Sequence, residues 1–134
     1  MPDLPETDDT PLVRTDFSDE GAWRELLEAI RMPSDEGFLA NLSVLDDPAF
    51  AGADMRVLCA SEAAANHAIL LLADAETMAG AERSLLCVDA SDPDRTFRVV
   101  PAALWGVENN LSIANMDFDE FADHVDGDGV FRGF

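Results

Sequence analysis

The chain contains no lysine and no tyrosine, and its whole basic complement is eight arginines. Without lysine there is no complete Walker A loop, no Schiff base and no kinase-type phosphate-binding lysine. Receiver-like and haloacid-dehalogenase-like phosphotransfer domains also depend on a lysine, so those α/β families are poor matches. Clustered basic side chains, which hold nucleic acid or an anionic lipid surface, are missing, and neither is an expected partner. Two cysteines, Cys59 and Cys87, are too few for a disulfide framework, and both read as reduced core residues among apolar neighbours. No apolar run approaches a membrane span, and the acidic start MPDLPETDDT lacks the apolar stretch of a signal peptide. The expected location is the cytoplasm, without membrane contact.

What is present is acid and apolar surface. Twenty-eight Asp and Glu residues against eight arginines give a formal charge of −20, while 48% of the 134 residues are apolar. That length and apolar content suit one folded domain. Residues 1–10, polar and carrying Pro2 and Pro5, read as a flexible acidic arm, and 11–134 as a single α/β domain. Arginine without lysine, together with abundant alanine, fits a GC-rich genome; the excess of Asp over Glu also fits a high-salt cytoplasm.

Leu12–Phe17 reads as a first strand. Ser18 or Asp19 then caps a helix whose Trp23, Leu26, Leu27 and Ile30 fall on one face, ended by Pro33. Alternation over Phe38–Leu45 predicts a second strand, and 53–65 a helix. The unbroken apolar runs Ala68–Ala73 and Leu85–Val88 suit central strands covered on both faces, with a short helix over 74–82 between them. Phe97–Val100 makes a fifth strand, either a hairpin partner of the fourth or a return after a turn. Pro101 opens a helix to about Asn110, and Leu111–Ala114 reads as extended. Asp117 and Glu120 form a capping box for a last helix, with Gly127 as its stop. The ending Gly129–Phe134 is apolar enough to dock on the body. The expected fold class is α/β: one mainly parallel sheet of about five strands with helices on both faces.

The segment Thr96–Phe134, with Trp105, the run Glu108–Phe118 and the ending Val130–Phe134, resembles a family of small acidic proteins from actinobacteria. The opening Leu12–Phe17 and the Trp23 helix resemble the same family's N-terminal signature. The resemblance spans roughly residues 4–134. It implies a bacterial, free-standing domain and the GC-rich account of the arginine bias, and it carries no assigned activity, cofactor or catalytic residue.

Two constellations carry candidate chemistry. Asp89, Asp92 and Asp94 follow an apolar strand at its carboxyl end, where ligand sites of open α/β sheets gather, and Asp16 ends the first strand and could share that crevice. Divalent cations prefer such carboxylates, although Ser91-Asp92-Pro93-Asp94 is also ordinary turn chemistry. Glu108, Asn109 and Asn110 with Asn115 are the most unusual polar concentration. Joined with Trp105 and Arg98 they form a candidate recognition surface, since Trp and Arg are favoured at binding hot spots; asparagines of this kind also satisfy loop backbone. His67 and His124 have no partner at a zinc spacing, and no nucleophile elbow is present.

The sequence therefore favours a non-enzymatic acidic interaction module without a cofactor. Its expected partner is a protein, in the specific version a basic one met in the manner of an inhibitor or immunity protein. The alternative is a small enzyme-like domain that binds a divalent metal or ligand through the strand-end carboxylates. A third reading treats the acidity as a solubility device.

Overall fold

A computed structural model describes residues 2–134. Its strands are β1 (Thr10–Arg14), β2 (Leu42–Leu45), β3 (Ile69–Ala73), β4 (Leu85–Asp89), β5 (Asp92–Val99) and β6 (Val130–Phe131). Its α-helices are α1 (Glu20–Ile30), α2 (Met55–Cys59), α3 (Ala75–Ala79), α4 (Leu104–Ser112) and α5 (Phe118–Ala122). The strands form one sheet in the order β2-β1-β3-β4-β5-β6.

The unbroken apolar runs do become central strands: every residue of β1 and β3 is buried. Alternate side chains feed two cores, as a pleated strand requires. Ile69, Leu71 and Ala73 join Trp23 and Leu26 of α1, Val107 of α4 and Phe121 of α5 on one face. Leu70 and Leu72 meet Phe50, Leu58 and Ala64 on the other. Leu4, inside the expected N-terminal arm, packs in this second core, and its N–H donates to Ser61 Oγ at 2.9 Å.

The sheet is mixed and has six strands, not five. β1 pairs in parallel with β2 and β3, and β5 with β6, but β3–β4 and β4–β5 are antiparallel. The reason lies in α3. A five-residue helix advances about 8 Å, against about 16 Å for the five-residue strand before it, so it cannot return the chain for a parallel crossover. β5 then follows β4 as a hairpin and begins at Asp92, so Asp92–Asp94 lie in the strand, beside a break in register after Val88. The unexpected sixth strand is only two residues long.

Other local departures share one cause, tertiary contact outweighing local pattern. The second strand starts at Leu42, because Phe38 leaves the alternation to stack on Trp105. Residues 53–65 split into α2 and a 3-10 segment over Glu62–Asn66. Leu111 and Ser112 finish α4 instead of extending, since Leu104, Val107 and Leu111 share its buried face. The capping box of α5 forms, with Glu120 accepting from the Asp117 N–H at 3.2 Å, but the helix stops at Ala122, well before Gly127.

Candidate functional site

α4 carries Trp105, Glu108 and Asn109 at i, i+3 and i+4, a spacing that puts them on one face of the helix. All three reach the segment that leads into β2. Trp105 stacks on Phe38 with ring centroids 5.1 Å apart and planes at 16°. Asn109 Nδ2 donates to the Leu39 carbonyl at 3.1 Å and to its own helix at Trp105 O, 2.6 Å. Glu108 Oε1 accepts the Asn41 N–H at 2.7 Å, and the Asn41 carbonyl in turn accepts the Thr10 N–H at 3.2 Å.

Glu108 is 2% exposed, and among the described residues no arginine pairs with it. Its Oε2 accepts from Thr10 Oγ1 at 2.9 Å and from Ser112 Oγ at 2.5 Å, so three donors replace the water it lost. A buried carboxylate persists only with such compensation. It ties β1, the approach to β2 and the end of α4 into one joint.

The outer side of this joint is apolar and open. Phe38 is 49% exposed, Leu39 44% and Met32 72%. Met32, Ala102 and Trp105 line a groove of about 590 Å³ that also carries Asp35 and Glu36. The turn that presents Phe38 is closed by Ser34, whose carbonyl accepts the Gly37 N–H and whose Oγ accepts the Phe38 N–H; Gly37 there has φ +88°, a conformation that suits glycine.

The remaining recognition candidates are elsewhere or serve the backbone. Arg98 is not beside Trp105. It lies 14% exposed against Asp74 at 2.6 Å and Glu76 at 2.6 Å, tying β5 to the start of α3. Burial alone would raise the Asp74 carboxyl, but hydrogen bonds from Arg98 and Thr77 outweigh it and hold the group below the ordinary carboxylate range. Asn110 and Asn115 close the end of α4: Asn110 O accepts the Asn115 N–H at 2.9 Å, and Asn115 Nδ2 donates to Asn110 Oδ1 at 2.8 Å.

The four strand-end carboxylates do not converge. Ile69 at the start of β3 pairs with Asp89 at the end of β4, while Arg14 at the end of β1 pairs with Ala73 at the end of β3. Asp16 and Asp89 therefore lie at opposite ends of the strands, a consequence of β4 running antiparallel. Asp89 is engaged by Arg95 at 3.1 Å and by the Ser91 hydroxyl at 2.7 Å; Arg95 also pairs with Asp119, and Asp94 with Arg56. Asp16 accepts from Ser18 N–H and Asp92 from Asp94 N–H, each a local turn bond. Among the described residues no group of three or more His, Cys, Asp or Glu is placed to hold a metal ion.

Charge is distributed unevenly. Among the described residues, six of the eight arginines sit in ion pairs that engage eleven of the 28 carboxylates, so most of the acid faces solvent outside such pairs. Arg14 exemplifies the inward use: it is buried between Phe17 and Trp23 and pairs with Glu20 and Asp46. Among the described residues, no helix is long and apolar enough to cross a membrane.

Residues 9–134 match a protein family described as "Domain of unknown function (DUF6924)". No curated protein matches the chain.

Proposed function

We propose that this chain, which belongs to the DUF6924 family, is a non-enzymatic protein-interaction module that captures a basic partner protein. The observation that carries the reading is the exposed Phe38–Trp105 stack, bordered by Met32 and Leu39 on a molecule of charge −20. An apolar centre containing Trp, with a charged rim, is the anatomy of a binding hot spot. The rim here is Asp35 and Glu36. An acidic field accelerates encounter with a basic protein and loses strength as salt rises. Blocking a basic enzyme by presenting carboxylates in place of its anionic substrate is the most specific form of this role.

The test is affinity capture from source-organism lysate with wild-type protein and with Phe38→Ser, at low and high salt. A stoichiometric basic protein, retained by the wild type at low salt and lost with Phe38→Ser, is the expected result. Equal capture by both forms, or capture insensitive to salt, overturns it.

A further inference from the structure

The two edges of the sheet are treated differently. β6 is two residues long, both buried, and is flanked by the Arg132 cluster with Glu82, Asp126 and Asp128. β2 is longer, and its sequence Leu-Ser-Val-Leu holds no charge, proline or bulge, the devices that normally blunt an edge. Its pairing with β1 is parallel, with Thr10 opposite Leu42 and Leu12 opposite Val44. The Thr10 N–H is held by the Asn41 carbonyl, so residues 41, 43 and 45 turn their backbone groups toward β1. Leu42 and Val44 turn theirs outward, and among the described residues no backbone group bonds them.

Beside this edge runs a groove of about 280 Å³ lined by Ile30, Arg31, Leu39, Ala40, Leu42 and Val44. Arg31 is its one charged side chain. Carboxylates bracket the strand: Asp35 and Glu36 before it, Asp46 and Asp47 directly after it, and Asp9, whose N–H donates to Ser43 Oγ at 3.3 Å, across its other face. The Trp105–Glu108–Asn109 joint holds the approach to β2 in place, which makes the edge a fixed template.

The geometry points to strand addition: the partner lays an extended basic segment along β2, bonding the outward groups of Leu42 and Val44. This inference rests on the interaction reading above and names its mode. Alternate side chains of the segment turn to opposite faces: apolar ones meet the groove and basic ones meet Asp9 on the other face. Basic residues at the ends of the segment meet Asp35, Glu36 and Asp47. A second copy of this chain is the disfavoured occupant, because each brings a charge of −20.

The test uses a short synthetic peptide alternating valine and arginine, with amide exchange followed by NMR. The Leu42 and Val44 amides should slow about tenfold or more on binding, while that of Ser43, already paired with β1, should not change. A peptide with glutamate in place of arginine should bind at least about tenfold more weakly. Val44→Pro removes an outward donor without touching the β1 ladder, so it should abolish peptide binding with an unchanged melting temperature; Val44→Thr, which keeps the donor, should bind normally.

Absence of peptide binding, binding without protection of Leu42 and Val44, or normal binding by Val44→Pro overturns strand addition. So does protection that appears without peptide and grows with protein concentration. A basic protein captured by Val44→Pro but not by Phe38→Ser would remove strand addition and leave the interaction reading standing. Capture unaffected by either variant would remove both.

Discussion

Trp105 and Phe38 stack across the junction between α4 and the loop before β2, with ring planes within 16° of parallel and the Phe38 ring half open to solvent. An aromatic pair of this geometry contributes about 1 kcal/mol beyond the area it buries. Phe38→Ala should therefore lower unfolding free energy by about 1–2 kcal/mol and shift Trp105 emission to longer wavelength. Trp23 is buried on the core face of α1 and should keep its signal. Unchanged emission in Phe38→Ala would show that the stack does not persist in solution.

Glu108 should matter more than its solvent-accessible neighbours. Glu108→Ala leaves the buried Thr10 hydroxyl and the part-buried Asn41 N–H without their acceptor, and should cost about 2–3 kcal/mol. Glu108→Gln keeps an acceptor for Asn41 while the two hydroxyls reorient, and should cost about 1 kcal/mol. Urea unfolding of the two variants measures this. Equal effects of the two substitutions would deny the carboxylate a special place in the joint.

The Asp74–Arg98 pair gives stability a defined acid dependence. The folded carboxyl lies below its unfolded value of about 3.9, so its contribution is complete above that value and is lost as pH falls through the folded one. The stability difference between wild type and Asp74→Asn should be constant from about pH 7 to pH 5 and shrink below about pH 4. Comparing the two proteins cancels the other carboxylates, which protonate in both. A difference that persists undiminished at acid pH would contradict the assignment.

Cys87 should resist thiol reagents until the protein unfolds. It is fully enclosed, and burial first, with the nearby Asp89 charge second, pushes its thiol far above the ordinary range. Cys59 is raised by the same two causes but is only partly covered. Labelling at mild alkaline pH should modify Cys59 slowly in the native protein and Cys87 only in denaturant. Slow native labelling of Cys87→Ser, together with none of Cys59→Ser until denaturant is added, is the pattern that fits.

Much of the fold could be read along the chain. The buried strands β1, β3 and β4, the Trp23 stripe of α1 and the Asp117–Glu120 box all follow from short-range pattern, because burial on both faces or on one helical face leaves a periodic mark. The family resemblance also held at the level of an uncharacterised family. β6 left no such mark, since two residues are too few to show a period. Trp105, Glu108 and Asn109 stood out in the sequence as residue types, and their i, i+3, i+4 spacing was present to be read. Their target, the Phe38–Asn41 segment, lies some seventy residues away, and nothing local announces it.

What the sequence determined by itself was composition and local order: an acidic surface, an apolar core, no lysine chemistry, and most of the strands and helices. Strand direction and the meeting of distant side chains were decided only in three dimensions. A short α3 cannot carry the chain back across a strand, so β4 runs antiparallel and sends Asp89 to the end of the sheet opposite Asp16. The same packing turns Arg98 inward to Asp74 and leaves Phe38, Leu39 and β2 outward. Side-chain types set which interactions are available, and the length of each connection sets which of them can meet.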